Sequence, residues 1–148
     1  MKFMNQAFVL ARRAQSHEDV PIGAVIVRDD KIIARGENQV QQKKNPTLHA
    51  EIVAINRACK KLGTKFLDDC DIYITLEPCA MCATAISFAR IRNIYFAATD
   101  PKGGGITANA QIYETDRHLW RPNVYQMPEF ASESADLLKV FFANRRKK

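Results

Sequence analysis

Apolar residues recur at helical spacing from the start of the chain. Phe3, Ala7, Leu10, Ala11 and Ala14 share one side of a 3.6-residue period, which predicts an amphipathic first helix over MKFMNQAFVLARRAQ. The pattern then changes to short apolar runs. IGAVIVRDDKIIARGE reads as two strands joined at Asp29-Asp30, a hairpin turn signal. In LHAEIVAINRACKKLG, Ile52, Ile55 and Ala58, with Ala54, form the apolar face of a second helix that Gly63 ends. DIYITL predicts a strand, CAMCATAISFAR a helix and RNIYFAA another strand. DPKGGG reads as a loop, and a less regular stretch to about Pro128 contains one short strand, NVYQM. SESADLLKVFFANRR closes the series as a helix, with Ser132 its expected N-cap. Strand–helix–strand–helix–strand order implies a layered α/β sheet with partly parallel strands.

Composition narrows the class. A length of 148 residues fits one domain with a core of its own, 1–148, and no linker, repeat or low-complexity tract divides it. No apolar run approaches the roughly 18 residues of a membrane span, so no membrane partner is expected. Arg12 and Arg13 interrupt the N-terminal apolar pattern, which favours an amphipathic helix over a leader peptide, and a cytoplasmic location is therefore expected. In a reducing compartment the four cysteines are thiols or metal ligands rather than a disulfide framework. The net charge of +6, densest in the terminal NRRKK, raises the expectation of an anionic partner.

The candidate chemistry lies in LEPCAMC. Pro78 suits the last extended residue before a helix, so Cys79 and Cys82 fall in the first helical turn on one face. The helix dipole favours their thiolate forms, which are the forms that bind metals. Such a pair alone would equally suit a redox couple or half of a structural zinc site. A second group sharpens the reading: His49, Ala50 and Glu51 open another helix after Pro46 and Thr47. One imidazole and two thiolates form a set that zinc accepts. A fourth protein ligand is not in evidence. Cys59 lies about 15 Å along the helix from His49 at 1.5 Å per residue, and Cys70 sits at the far end of the preceding strand. Cys59 and Cys70 therefore read as core thiols, and no spacing recommends His17 or His118. Three protein ligands leave one zinc position open, which marks a catalytic site. Glu51 is too close in sequence to His49 to be a fourth ligand, but is placed to accept a proton from water.

HAE followed by TLEPCAMC carries the H-x-E and P-C-x-x-C signature of the zinc-dependent nucleobase deaminases. Further blocks, VPIGAVIV, ARGEN, NPTLHAE, ARI, DPKGG and LLKVFFANRR, extend the likeness over nearly the whole chain. They resemble the bacterial tRNA-specific adenosine deaminases of the cytidine/deoxycytidylate deaminase superfamily. The resemblance implies a cytidine-deaminase-like three-layer α/β/α fold with a central mixed five-stranded sheet. It implies one zinc per subunit on His49, Cys79 and Cys82, with Glu51 as proton shuttle, and conversion of the wobble adenosine of a tRNA to inosine. It assigns Asn38 to the base edge, Ala50 and Pro78 to the pocket wall, Asp100 to ribose and Lys102 to phosphate. Phe141, Phe142 and Arg145 would meet the anticodon stem-loop, with Lys43 and Lys44 near it, and a homodimer would complete each substrate site. The chain departs from the family pattern at Asn45, at Ala83-Thr84 and through GGGITANAQIYETDRHLWRPNVYQ. The zinc signature also suits a guanine or other nucleobase deaminase of the same fold. A non-catalytic zinc-containing RNA-binding subunit would keep the ligands and lose Glu51.

Overall fold

In the computed structural model, which describes residues 1–146, the expected amphipathic helix is α1 (Lys2–Ser16). Its buried side carries Met4, Ala7, Phe8, Leu10, Ala11 and Ala14, while Phe3 lies only at the margin. The hairpin follows as β1 (Gly23–Arg28) and β2 (Lys31–Glu37). Asp29 and Asp30 turn it with φ of 52° and 61°, the left-handed pair that matches the twist of the two strands. The chain continues through α2 (Val40–Lys43), α3 (Ala50–Leu62), β3 (Asp71–Leu76), α4 (Ala80–Phe88) and β4 (Asn93–Ala98). After these come α5 (Ile112–Thr115), β5 (Asn123–Gln126), a 3-10 turn (Pro128–Phe130) and α6 (Ala131–Arg146).

The strands form one mixed sheet in the order β2-β1-β3-β4-β5. β1 runs antiparallel to both β2 and β3, and β3, β4 and β5 are parallel. Alternation along the strands divides the core in two. Ala24, Ile26, Ile72, Ile74, Ile94 and Phe96 point to the side of α3 and α4. Val25 and Val27 point the other way, with Leu10 of α1. Ala97 joins Met4, Phe8 and Phe130 on that same side. Helices cover both faces, so β1 reads as a continuous apolar run, as expected of a strand buried on two sides. This is a three-layer α/β/α arrangement. On the α1 side Tyr73, Tyr95 and Tyr125 occupy paired positions with ring centroids 4.6 and 5.2 Å apart, stitching the parallel strands in register.

Several local expectations are revised. The inner face of α3 is the small stripe Ala50, Ala54 and Ala58 with Val53 and Ile55, and Ile52 is only half-buried. The reason is close approach: a Cβ on Gly36 of β2 would lie 2.3 Å from the Ala50 carbonyl oxygen and 2.6 Å from the Ala54 nitrogen. Only small side chains permit a helix to lie that near a strand. Ser132 falls inside α6 rather than at its cap, because the turn at Pro128–Phe130 runs directly into the helix. Thr47 does not cap α3; its hydroxyl bonds Asn45 Oδ1 at 2.8 Å, and His49 is the N-cap residue. Cys70 is buried, whereas Cys59 is half-buried against the core. Lys147 and Lys148, the end of the basic tail, lie outside the described residues. Among the described residues no helix is long and apolar enough to cross a membrane.

Candidate metal centre and active site

Two helix N-termini meet beside the end of β3. His49 is the N-cap of α3 and Cys79 the N-cap of α4, both with extended backbone and neither capping its own helix through its side chain. Both side chains are therefore available as ligands. Cys82 lies one turn along α4 and is fully buried. His49 Nδ1 stands 3.6 Å from Cys79 Sγ and 3.6 Å from Cys82 Sγ. The three donor atoms all lie within 4.8 Å of one another, and this is the group among the described residues suited to a metal ion. Sulfur and imidazole donors at that spacing fit zinc, with one coordination position left over.

Electrostatics support the same reading. Cys79 is held down to about 4, chiefly by the hydrogen bond from Cys82 and also by His49, against the opposing effect of burial. Cys82 is pushed up, first by that bond to Cys79 and then by burial. The two sulfurs thus compete for one proton, which a dication would displace. His49 is raised, mainly by its contact with Cys79. Glu51, in the first turn of α3, is 4 % exposed. Burial is the main cause that lifts it to about 7, with the Cys79 thiolate adding to the rise. Its own backbone N–H, His49 and Cys82 pull the other way. A carboxylate balanced there can both take and return a proton near neutrality.

Asn38, just past β2, has a structural role that the sequence did not disclose. Its Oδ1 accepts the Ala50 N–H at 2.7 Å, so it caps α3 from a neighbouring segment. With Oδ1 engaged, Nδ2 is the group left to donate to a ligand. Ala50 and Pro78, expected at the pocket wall, are both buried. The Ala50 amide is held by Asn38, and the Pro78 carbonyl accepts the Gly105 N–H at 2.8 Å. Asp100 Oδ1 accepts the Lys102 and Gly103 N–H groups at 3.2 and 3.0 Å, closing a turn that leaves the Lys102 side chain exposed.

The α6 residues divide. Phe141 is buried and Phe142 is 46 % exposed, the two rings meeting edge to face at 5.3 Å. Arg145 lies over the Phe141 ring and donates to the Glu18 carbonyl at 3.2 Å. Phe141 and Arg145 line an open groove of about 620 Å³ together with Gln41, Gln42 and Lys44. Lys43 ends α2, and Lys44 follows it in the left-handed region.

Three residues were not anticipated. Glu77, 2 % exposed, accepts four hydrogen bonds from the loop after β4. Tyr113 ties α5 to α4 through its hydroxyl, which donates to the Ala83 carbonyl at 2.6 Å. Glu37 is buried beside Arg13 with one oxygen unpartnered. Glu77 had a visible signal, a carboxylate at the buried end of an apolar strand. Tyr113 lay in a segment without periodicity.

Residues 1–146 match the model of the MafB19-like deaminase family. The chain is 46% identical over 145 residues to the tRNA-specific adenosine deaminase of Agrobacterium fabrum, covering 97% of this chain and 94% of that protein. A solved structure from work on A-to-I editing by tRNA:A34 deaminases at the wobble position superposes with a TM-score of 0.89 at 46% identity, covering 93% of this chain and 99% of that one. The guanine deaminase of Bacillus subtilis superposes with a TM-score of 0.67 at 36% identity, covering 98% and 92%.

Proposed function

The chain belongs to the MafB19-like deaminase family, and from that premise we propose that it hydrolyses adenosine to inosine at the wobble position of a tRNA anticodon. The choice of tRNA over a free base is carried by one observation: the chain is 46% identical to a tRNA:A34 deaminase that it matches at a TM-score of 0.89, whereas guanine deaminases reach 0.67 at 36% identity and 0.78 at 21%. The net charge of +6 agrees with a polyanionic substrate.

The donor set of His49, Cys79 and Cys82 fits one zinc ion per subunit. When bound there, zinc supplies the Lewis acidity that makes water a nucleophile at neutral pH. Glu51 takes one proton from the attacking water and delivers it to the purine ring, then carries the second, from the hydroxyl now on C6, to the amino group as ammonia departs. One water is consumed and one ammonia released for each inosine. Asn38 Nδ2 donates to the base edge, while Ala50 and Pro78 bound the pocket. Asp100 meets the ribose through Oδ2, its other oxygen being engaged in the turn. Lys102 meets phosphate. Phe142, exposed on α6, offers a stacking face to an unpaired base, and Phe141 with Arg145 forms a basic aromatic wall. An anticodon loop suits this arrangement because its bases are already partly splayed and cost less to extrude than bases in a duplex.

The protein acts as a single deaminase domain in a cytoplasmic homodimer. An exposed apolar face around α4 supports the dimer: Phe88 is 69 % exposed, and Trp120, joined to α4 by the Ser87 hydroxyl, is 48 % exposed. The test is inosine formation on tRNA transcripts with adenosine at the wobble position, with free adenosine and guanine in parallel. Wild type should act on the tRNA alone. Glu51→Gln should retain zinc and lose activity by about 10²-fold or more. Deamination of guanine without activity on tRNA would overturn the substrate class while leaving the zinc chemistry in place.

A further inference from the structure

We infer that Glu77 is a positioning residue, a latch that holds the loop carrying Asp100 and Lys102 against the strand–helix corner that presents Cys79 and Cys82. The inference rests on the tRNA reading above, because the contacts it positions are those made to the substrate backbone.

The carboxylate is used to capacity. Glu77 Oε1 accepts the Asp100 N–H at 3.0 Å and the Thr107 hydroxyl at 2.8 Å. Oε2 accepts the Ile106 and Thr107 N–H groups at 3.1 and 2.8 Å. Two donors per oxygen are what a buried carboxylate needs to offset its lost hydration. The donors come from both ends of the loop, so one side chain closes it. The backbone of the corner adds to the grip: the Glu77 N–H donates to the Ala98 carbonyl, and the Pro78 carbonyl accepts from Gly105, both at 2.8 Å.

The loop is shaped for this approach. A Cβ on Gly104 would stand 2.4 Å from Glu77 Oε2, and one on Gly105 would stand 2.4 Å from the Ala80 nitrogen. Neither position admits a side chain unless the latch or the first turn of α4 moves. From the outer side, Asn109 Nδ2 donates to the carbonyls of Pro101, Lys102 and Gly104 at 3.3, 3.2 and 2.8 Å. The backbone of Lys102 is thus clasped from outside while Glu77 anchors the loop ends from beneath. Lys102 itself is exposed. Glu77 therefore acts on the substrate through the loop, while the metal ligands hang from the same corner.

A double-mutant cycle separates this role from plain structural support. KM and kcat are measured on an anticodon stem-loop for wild type, Lys102→Ala, Glu77→Gln and the double variant, with zinc content determined for each. The cost of one phosphate contact sets the expectation for Lys102→Ala, a KM rise of about fivefold. Glu77→Gln should raise KM about tenfold with kcat within about threefold, since an amide cannot accept from all four donors. In the double variant, Lys102→Ala should add no more than about twofold. Hydrogen exchange gives a readout independent of turnover: the amides of Asp100, Ile106 and Thr107 should exchange faster in Glu77→Gln. Should that variant not fold, Thr107→Val removes a single donor from the loop side and should raise KM about threefold. If Lys102→Ala keeps its full effect beside Glu77→Gln, or kcat and zinc content fall together, the latch is overturned in favour of general support for the fold. Unchanged exchange at the three amides overturns it as well. Wild-type protein inactive on the stem-loop would instead defeat the tRNA reading, and the exchange experiment would still decide whether Glu77 holds the loop.

Discussion

Asn38→Ala tests whether one side chain both caps a helix and serves the substrate. The Ala50 N–H that Asn38 Oδ1 accepts at 2.7 Å is fully buried, and Asn38 itself is 6 % exposed. With alanine in place, neither water nor the helix supplies another acceptor at the first turn of α3. A buried donor left unsatisfied costs about 1–3 kcal/mol, and loss of an N-cap costs about 1 kcal/mol for the same bond, so about 2 kcal/mol is expected. For a domain of this size that lowers Tm by about 4–8 °C. The uncapped residue directly follows His49, so zinc affinity should fall about tenfold as the imidazole loses its fixed bearing. The assay is urea unfolding followed by circular dichroism at saturating zinc, with the m-value unchanged. Asn38→Asp makes the control. It keeps an acceptor at the helix N-terminus and loses the amide donor, so it should recover most of the stability and none of the activity. A midpoint for Asn38→Ala within about 0.5 kcal/mol of wild type, or equal destabilisation by aspartate and alanine, would refute the capping argument.

Two further outcomes follow from packing and burial. Gly36→Ala forces a Cβ into the backbone of α3 and should destabilise by about 3 kcal/mol, lowering inosine formation as well, because that helix carries His49 and Glu51; an unchanged thermal midpoint would contradict the close approach. Glu37 is raised above its ordinary 4.5, first by burial, with Arg13 the main opposing influence. A carboxyl raised on folding gives stability that is present below the unfolded value and lost as pH climbs through the folded one. Glu37→Gln should therefore gain in Tm relative to wild type on going from pH 4 to pH 7, and a gain confined to acid pH would reverse the assignment.

The elements legible in the chain were those with local causes. The period of Ala7, Leu10, Ala11 and Ala14 defines α1, Asp29-Asp30 defines the hairpin, and Gly63 ends α3 in the left-handed conformation at φ 66°. DIYITL is β3 to the residue. The grouping of His49, Cys79 and Cys82 as a set that could hold a metal was legible for the same reason, since each half lies at a helix start. Short α2 and α5, with no apolar period of their own, were not legible, nor was the capping of α3 by a side chain from beyond β2.

Phe141 and Phe142 show where local information ends. Adjacent residues of one type have equal claims to the core until α6 docks against β4 and the 3-10 turn, which turns Phe141 inward and Phe142 out. Glu77 is a similar case, because its donors lie 23 to 30 residues away across a complete strand. The sequence by itself determined which residues could chemically hold a metal and move a proton, because spacing along a helix or strand needs only local geometry. The tertiary structure alone decided which of two adjacent aromatics faces solvent and what holds the loop after β4. Those outcomes depend on contacts between segments far apart in the chain, whose free energies exist only once the layers have packed.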